Sequence, residues 1–201
     1  MTRVLVINGS YRDDGITDQA IAVAVGVLKG EGANTEVVNL REYPIEFCRN
    51  CRECTQQPGT DPGKCVLGDG MYELIEKIEL AEAYILASPT NFSSVTAVFK
   101  RFMERLVAYA YWPWGKPYPK FRKQGLRQKK AMLISSSAAP AWLGRWSFAT
   151  SRQLKMAAKT IGAEPVGILF TGLSSMEKHK RLTQKTIDRT RILASRLLGA
   201  G

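Results

Sequence analysis

The sequence predicts an α/β fold, a three-layer sandwich in which a five-stranded parallel sheet carries helices on both faces. Three observations support this. Five short apolar runs alternate with five segments of helical period, the order that feeds a parallel sheet. The first two runs are about one helix apart, as a βαβ crossover requires. Three loops, 8–17, 88–94 and 135–145, leave the carboxyl ends of strands and are rich in small hydroxyl residues, Gly or Pro. Ligands of open α/β sheets bind outside those ends, where the strand order reverses.

Residues 3–8 form an apolar run bounded by turn residues and read as a buried parallel strand. A helix is expected over 17–30, with Ile21, Val25 and Leu28 at helical spacing and Gly30 and Gly32 at its end. Thr35 to Leu40 is the second strand, Met71 to Leu80 a helix, and Ala83 to Ala87 the third strand. Ser94 or Thr96 starts a helix to about Tyr109, striped by Val98, Phe102 and Leu106. Strand four is Lys130 to Ser135, followed by a helix from about Trp146 to Ile161. Strand five is Glu164 to Phe170, and Met176 to Leu198 is the last helix. The whole of 1–201 reads as one domain with two excursions. One, at about 43–69, holds all four cysteines; the other, at about 109–129, is aromatic and basic. Loops of such length are usually functional.

Apolar residues make up 45% and charged residues 23% of the chain, the balance of a water-soluble globular domain. No apolar run approaches the roughly 20 residues of a membrane span. A strand begins almost at Met1, so a cytoplasmic location is expected, and there cysteines are reduced, metal-bound or catalytic. The net charge of +11 raises nucleic-acid binding. The excess is split between 116–130 and 178–196, however, and the second cluster lies on a helix with an apolar face, so no nucleic-acid partner is expected. A basic surface equally suits anionic small molecules and acidic redox partners. His179, the only histidine, sits among lysines and reads as a solvated surface residue.

The chemistry begins at the first loop. Asn8-Gly9-Ser10 ends strand one, Gly15 precedes Thr17, and Thr17 or Asp18 can cap the following helix. Free N–H groups of a first helical turn favour a phosphate. The hydroxyls of Ser10 and Thr17 and the guanidinium of Arg12 can add hydrogen bonds, and Asp18 is counted with this site. A dinucleotide site of the G-x-G-x-x-G type is absent: Gly9 is followed by Ser10 and Tyr11.

These residues resemble a known family. Val-Ile-Asn-Gly-Ser-Tyr-Arg (6–12) with Gly15 and Thr17 is similar to the phosphate loop of the NADPH-dependent FMN reductases. Residues 88–105, opening Ser-Pro-Thr-Asn-Phe, resemble that family's second flavin loop and helix. The resemblance implies a flavodoxin-like fold with strand order 2-1-3-4-5, bound FMN, NAD(P)H as co-substrate, and a homodimer or homotetramer. It implies that Ser10, Arg12 and Thr17 hold the FMN phosphate. It places Pro89, Thr90, Asn91 and Phe92 along the isoalloxazine, and Ser136, Ser137 and Ala138 on its other side. Ile16 stands where Asn is frequent, Glu104 replaces Asp, and the third loop departs from a Gly-rich form.

Cys48-x2-Cys51-x2-Cys54 followed by Cys65 resembles the iron–sulfur flavoprotein branch of the same family. These cysteines supply the ligand count of a [4Fe–4S] cluster, although the final gap of ten residues, Thr55 to Lys64, is long for a compact motif. Zinc held by four thiolates and free or reversibly oxidised thiols remain open. The stretch Tyr109 to Tyr118, with Trp112 and Trp114, suggests a lid over the flavin or a subunit contact, or the packing of a loop flap. Trp142 lies next to the third loop. Three functions compete. One is an FMN-dependent NAD(P)H oxidoreductase reducing a flavin, quinone or similar small acceptor, without a side-chain nucleophile. Another is an iron–sulfur flavoprotein relaying electrons from a ferredoxin-type carrier. The last is a non-catalytic binding protein on the same fold.

Overall fold

The computed structural model describes residues 1–126 and 128–199; Arg127, in the aromatic and basic excursion, and Ala200 and Gly201 lie outside the described residues. Five parallel strands form the sheet: β1 (Arg3–Asn8), β2 (Asn34–Asn39), β3 (Ala83–Ala87), β4 (Lys129–Ser136) and β5 (Ala163–Thr171). Their order is β2-β1-β3-β4-β5, the expected 2-1-3-4-5. Each boundary falls within a residue of its expected place. Six helices accompany them among the described residues: α1 (Ile16–Gly30), α2 (Met71–Leu80), α3 (Ala97–Arg105), α4 (Ala141–Ser147), α5 (Thr150–Thr160) and α6 (Gln184–Leu198).

The period of two along β1 builds the layers. Val4 and Val6 join Ala20, Ala24 and Leu28 of α1 and Leu193 and Leu197 of α6 in one core. Leu5 and Ile7 face the opposite way, into a core with Leu74 and Ile78 of α2, Phe99 and Phe102 of α3, and Leu154 of α5. Five consecutive residues of β1 are buried, which explains why the strand reads as a continuous apolar run.

Four helix boundaries differ from expectation. Thr17 and Asp18 lie inside the first turn of α1; Gly15 is the N-cap and no side chain caps the helix. The helix expected over 146–161 is two, because Phe148 is extended and the amide of Ala149 donates to the carbonyl of Ser93 (2.9 Å). After α3 the chain tightens into a single 3-10 turn, Leu106–Tyr109. The last helix starts at Gln184, capped by Thr183, whose hydroxyl accepts from the amide of Thr186. Residues ahead of it run as a loop because their carbonyls serve other groups: Lys178 accepts from Arg12 (2.8 Å) and Lys180 from Gln19 (3.0 Å). His179 is exposed as expected, but on this loop.

The cysteine excursion is tied to the end of α3 by a buried ion pair. Arg105 is 2% and Asp69 8% exposed, and two hydrogen bonds of 2.5 and 2.9 Å join guanidinium and carboxylate. Arg105 also donates to the carbonyl of Glu46, and Asp69 accepts from the amides of Glu46 and Met71. Burial alone would raise the Asp69 pKa, but Arg105 and these amides outweigh it and hold the carboxyl below its ordinary value. The pair's stabilisation is therefore complete above the ordinary aspartate range and is lost as pH falls through Asp69's lowered value. Asp69→Asn is expected to cost about 3–5 kcal/mol in urea unfolding at neutral pH by leaving Arg105 buried without its counter-charge. The difference from the parent chain should shrink under acid; equal stabilities at pH 7 would remove this role.

Candidate functional site

Three loops meet at the carboxyl edge because their strands are neighbours in register. Asn8 at the end of β1 lies opposite Ala87 of β3, which lies opposite Ile134 of β4. Sheet hydrogen bonding continues one step into the loops: Gly9 donates to the carbonyl of Ala87 (2.8 Å) and Ser88 to that of Ile134 (3.0 Å). Gly9 is required by this approach, since a Cβ there would lie 2.8 Å from Cβ of Phe99.

Asn8 organises the first loop. Its buried amide donates to Asp18 (2.9 Å) and Asn39 (3.0 Å), and its carbonyl oxygen accepts from the amide of Ser10 (3.0 Å). Burial pushes the Asp18 carboxyl above its ordinary pKa against the opposing bond from Asn8. The Ser10 hydroxyl accepts from the amide of Arg12 (3.2 Å), closing a tight turn. Thr17 and Ser136, both buried, stand 3.2 Å apart hydroxyl to hydroxyl, linking first loop and third. Around them the first-turn amides of α1 lack a side-chain cap. This group of N–H and O–H donors matches the chemistry of a phosphate ester. Nearby carboxylates are occupied: Asp13 binds Arg41, Asp14 binds Arg181 and Asp18 binds Asn8.

The second loop is a hairpin pairing Thr90–Asn91 with Ser94–Val95. Its tip, Phe92 (φ 50°) and Ser93 (φ 61°), is left-handed at both residues. That conformation suits Asn or Gly and is strained for Phe. The Phe92 ring is fully exposed. The base is rigid: Thr90 meets the hydroxyl of Thr150 at 2.9 Å, and Gln153 accepts from Ser94 and from the amide of Val95. In the third loop, the buried Ser137 donates to the carbonyl of Ala139 (3.0 Å), while Ala138 is exposed.

All four cysteines line one pocket near the far end of α3, with Arg49, Arg52 and Arg105 in its walls. Cys54 is buried and Cys51 exposed. An N–H of Arg105 points at the sulfur of Cys65 (3.5 Å) and the amide of Asn50 at that of Cys48 (3.4 Å). φ is positive at Asn50 and Arg52 and not at Cys51 between them, an alternation that turns successive amides toward a common anion. Arg122 is buried and makes no ion pair with a described residue, its guanidinium donating to the carbonyls of Ala108, Gly59 and Cys54. Arg52 lies between Trp112 (3.8 Å) and Trp114 (4.3 Å), and Thr55 exchanges hydrogen bonds with Trp112. The aromatic excursion thus clamps the cysteine segment. Among the described residues, no three Cys, His, Asp or Glu side chains stand close enough to share one metal ion.

Residues 2–167 match the NADPH-dependent FMN reductases. The chain belongs to that family. Among curated relatives, it is 32% identical over 103 residues to an iron-sulfur flavoprotein of Methanocaldococcus jannaschii, covering 51% of each chain. It is 34% identical over 107 residues to one from Archaeoglobus fulgidus, covering 53% of this chain and 46% of the relative. The chain thus spans about half the length of the curated relatives it matches. In fold it resembles an azoreductase from Bacillus anthracis (TM-score 0.73, 11% identity, 98% of this chain and 100% of the other). It also resembles an FMN-dependent NADH-azoreductase in complex with FMN, from another strain of that species (TM-score 0.65, 14% identity, 98% and 99%).

Within this FMN reductase fold, Thr17 and Ser136 meet, Ser10 stands beside Gly15 at the start of α1, and Ser137 and Ala138 follow on the third loop, while Pro89, Thr90, Asn91 and Phe92 form the adjacent hairpin arm. Arg12 instead points its guanidinium at the carbonyl of Lys178. Thr96 caps α3, one of the two starts that the sequence offered, whereas the bonding role of Asn8 and the arginines around the cysteines escaped the sequence reading. An Asn closing a strand before Gly-Ser is a signal for Asn8; an arginine buried on backbone carbonyls leaves none. Burial and the neighbouring cysteines push the Cys54 thiol up to about 11. Because the thiolate is the nucleophile, Cys54 should resist iodoacetamide at pH 8 in protein stripped of metal, while exposed Cys51 is alkylated. Peptide mapping reads both, and early labelling of Cys54 would contradict the burial described.

Proposed function

We propose that the chain binds FMN at the carboxyl edge of its sheet and works as an FMN-dependent oxidoreductase. In this reading it takes a hydride from a reduced nicotinamide and passes electrons to a small acceptor such as a flavin or quinone. The observation that carries the reading is the uncapped start of α1 beside the buried hydroxyls of Ser10, Thr17 and Ser136, at the point where the strand order reverses. When bound, FMN supplies the redox chemistry, and the protein supplies binding, orientation and electrostatics. The α1 amides and hydroxyls would hold the phosphate. The strained hairpin at Phe92 and Ser93 would present backbone groups to the ring edge, with Ser137 and Ala138 opposite. Ser10→Ala and Thr17→Val should each weaken FMN binding about tenfold or more, through loss of charge-assisted hydrogen bonds. Flavin fluorescence quenching measures this, and unchanged affinity in both variants would refute the phosphate assignment.

A second reading is favoured by the convergence of Cys48, Cys51, Cys54 and Cys65 on one pocket walled by arginines. Four thiolates around a cluster carry negative charge, and Arg52, Arg105 and Arg122 are placed to balance it. The same four thiolates could hold zinc, and four cysteines are the ligand count of a [4Fe–4S] cluster. In that case the protein would relay electrons between a reduced carrier and FMN. The α3 helix links the two sites: Thr96 lies against the first loop, Arg105 against the cysteines, about 14 Å apart along the axis. Anaerobically purified protein should contain iron that Cys51→Ser removes. Full iron retention in that variant would overturn the ligand set.

A further inference from the structure

Beside the flavin hairpin lies a second cavity, of about 360 Å³, that neither the phosphate loop nor the cysteines use. Its walls carry Arg145, Arg152 and Lys155, exposed cations without an ion pair or side-chain hydrogen bond to any described residue, and no acidic residue lines it. Helix α5, eleven residues long, begins at its wall, with N-cap Ala149 and no side-chain cap. Ser151 in the first turn is 8% exposed, and its hydroxyl has no hydrogen-bond partner. A buried hydroxyl without a partner calls for one. Trp146, 88% exposed, stands at the same cavity as a flat apolar surface. The cavity is joined to the flavin hairpin by two bonds of 2.9 Å, from Ala149 to the carbonyl of Ser93 and between Thr150 and Thr90.

We infer that this cavity binds the adenosine pyrophosphate portion of the reduced dinucleotide. The pyrophosphate sits on the α5 N-terminus between Arg145, Arg152 and Lys155, and the adenine stacks on Trp146. Three cations, free helix amides and a partnerless hydroxyl are the donors that a pyrophosphate needs. The adjoining Ser93 places the nicotinamide end of such a ligand at the hairpin, beside the Phe92 ring. The assignment rests on the nicotinamide reading above, and on an anion site separate from the one at α1.

The test is calorimetric titration of FMN-loaded protein with ADP-ribose, which carries the adenosine pyrophosphate and cannot donate a hydride. Saturable binding that weakens about tenfold or more in Arg152→Gln/Lys155→Gln, and also in Trp146→Ala, supports the site. Raised salt should weaken it further. FMN affinity serves as the folding control and should match the parent in both variants. Affinity for ADP-ribose unchanged by these substitutions overturns the proposal. So does inorganic pyrophosphate binding as tightly as ADP-ribose, or binding by an acidic protein with none by ADP-ribose. ADP-ribose binding without NADPH or NADH oxidation would leave the site standing and refute the hydride reading instead.

Discussion

One hydroxyl joins the first loop to the helix that reaches the cysteines. Thr96 donates to the carbonyl of Gly9 (2.6 Å) and accepts from the amide of Phe99, capping α3. Its own amide donates to Ser88 (3.0 Å), so the strand-three loop is fixed in the same knot. Gly9 fits only because it has no side chain beneath Phe99. The position of the α1 amides relative to the hairpin therefore follows from the start of α3, and the far end of α3 fixes Asp69 and the cysteine segment through Arg105. Two sites on different loops share one rigid member.

The layers were legible because they rest on repeats. A continuous apolar run in β1 and helical stripes in α1 and α3 suffice for strand, helix and order, since burial on both faces leaves few alternatives. The turn of the first loop was legible through Gly9, Ser10 and Thr17: Gly9 passes under Phe99, Ser10 closes the turn on Arg12, and Thr17 lies in the first turn of α1. The start of α6 was not, because Met176 continues a helical-looking pattern while the carbonyls of Lys178 and Lys180 are claimed by residues far away in sequence. The break at Phe148 likewise depends on Ser93, and the direction of Arg12 on Lys178. Such partners leave no trace in local spacing.

The +11 charge gains a structure from these details. Several arginines are inward-facing: Arg105 against Asp69, Arg122 against three carbonyls, and Arg52 between two indoles. Each desolvates a cation, which is costly unless its hydrogen bonds are met or an anion arrives. Their grouping around four sulfurs makes that wall a region of positive potential built into the core. On the surface, the positive strip of α5 is separate from it and open to solvent. The same net charge thus serves two neighbourhoods with different dielectric character, and salt would screen the outer far more than the inner.

The ten residues between Cys54 and Cys65 look like slack when counted. In the folded chain they are a fitted piece. Gly63 donates its amide to the carbonyl of Ala108, and a Cβ at Gly63 would lie 1.7 Å from the carbonyl oxygen of Cys54. Gly59 offers its carbonyl to Arg122. The backbone leaves Cys54, turns through this buttress and returns directly over its starting point before reaching Cys65. A pattern search that scores ligand spacing by residue number would penalise this chain, whereas one that asks where the main chain comes back to itself would not. Any side chain at Gly63 would push the returning backbone off Cys54 and shift Cys65 with it.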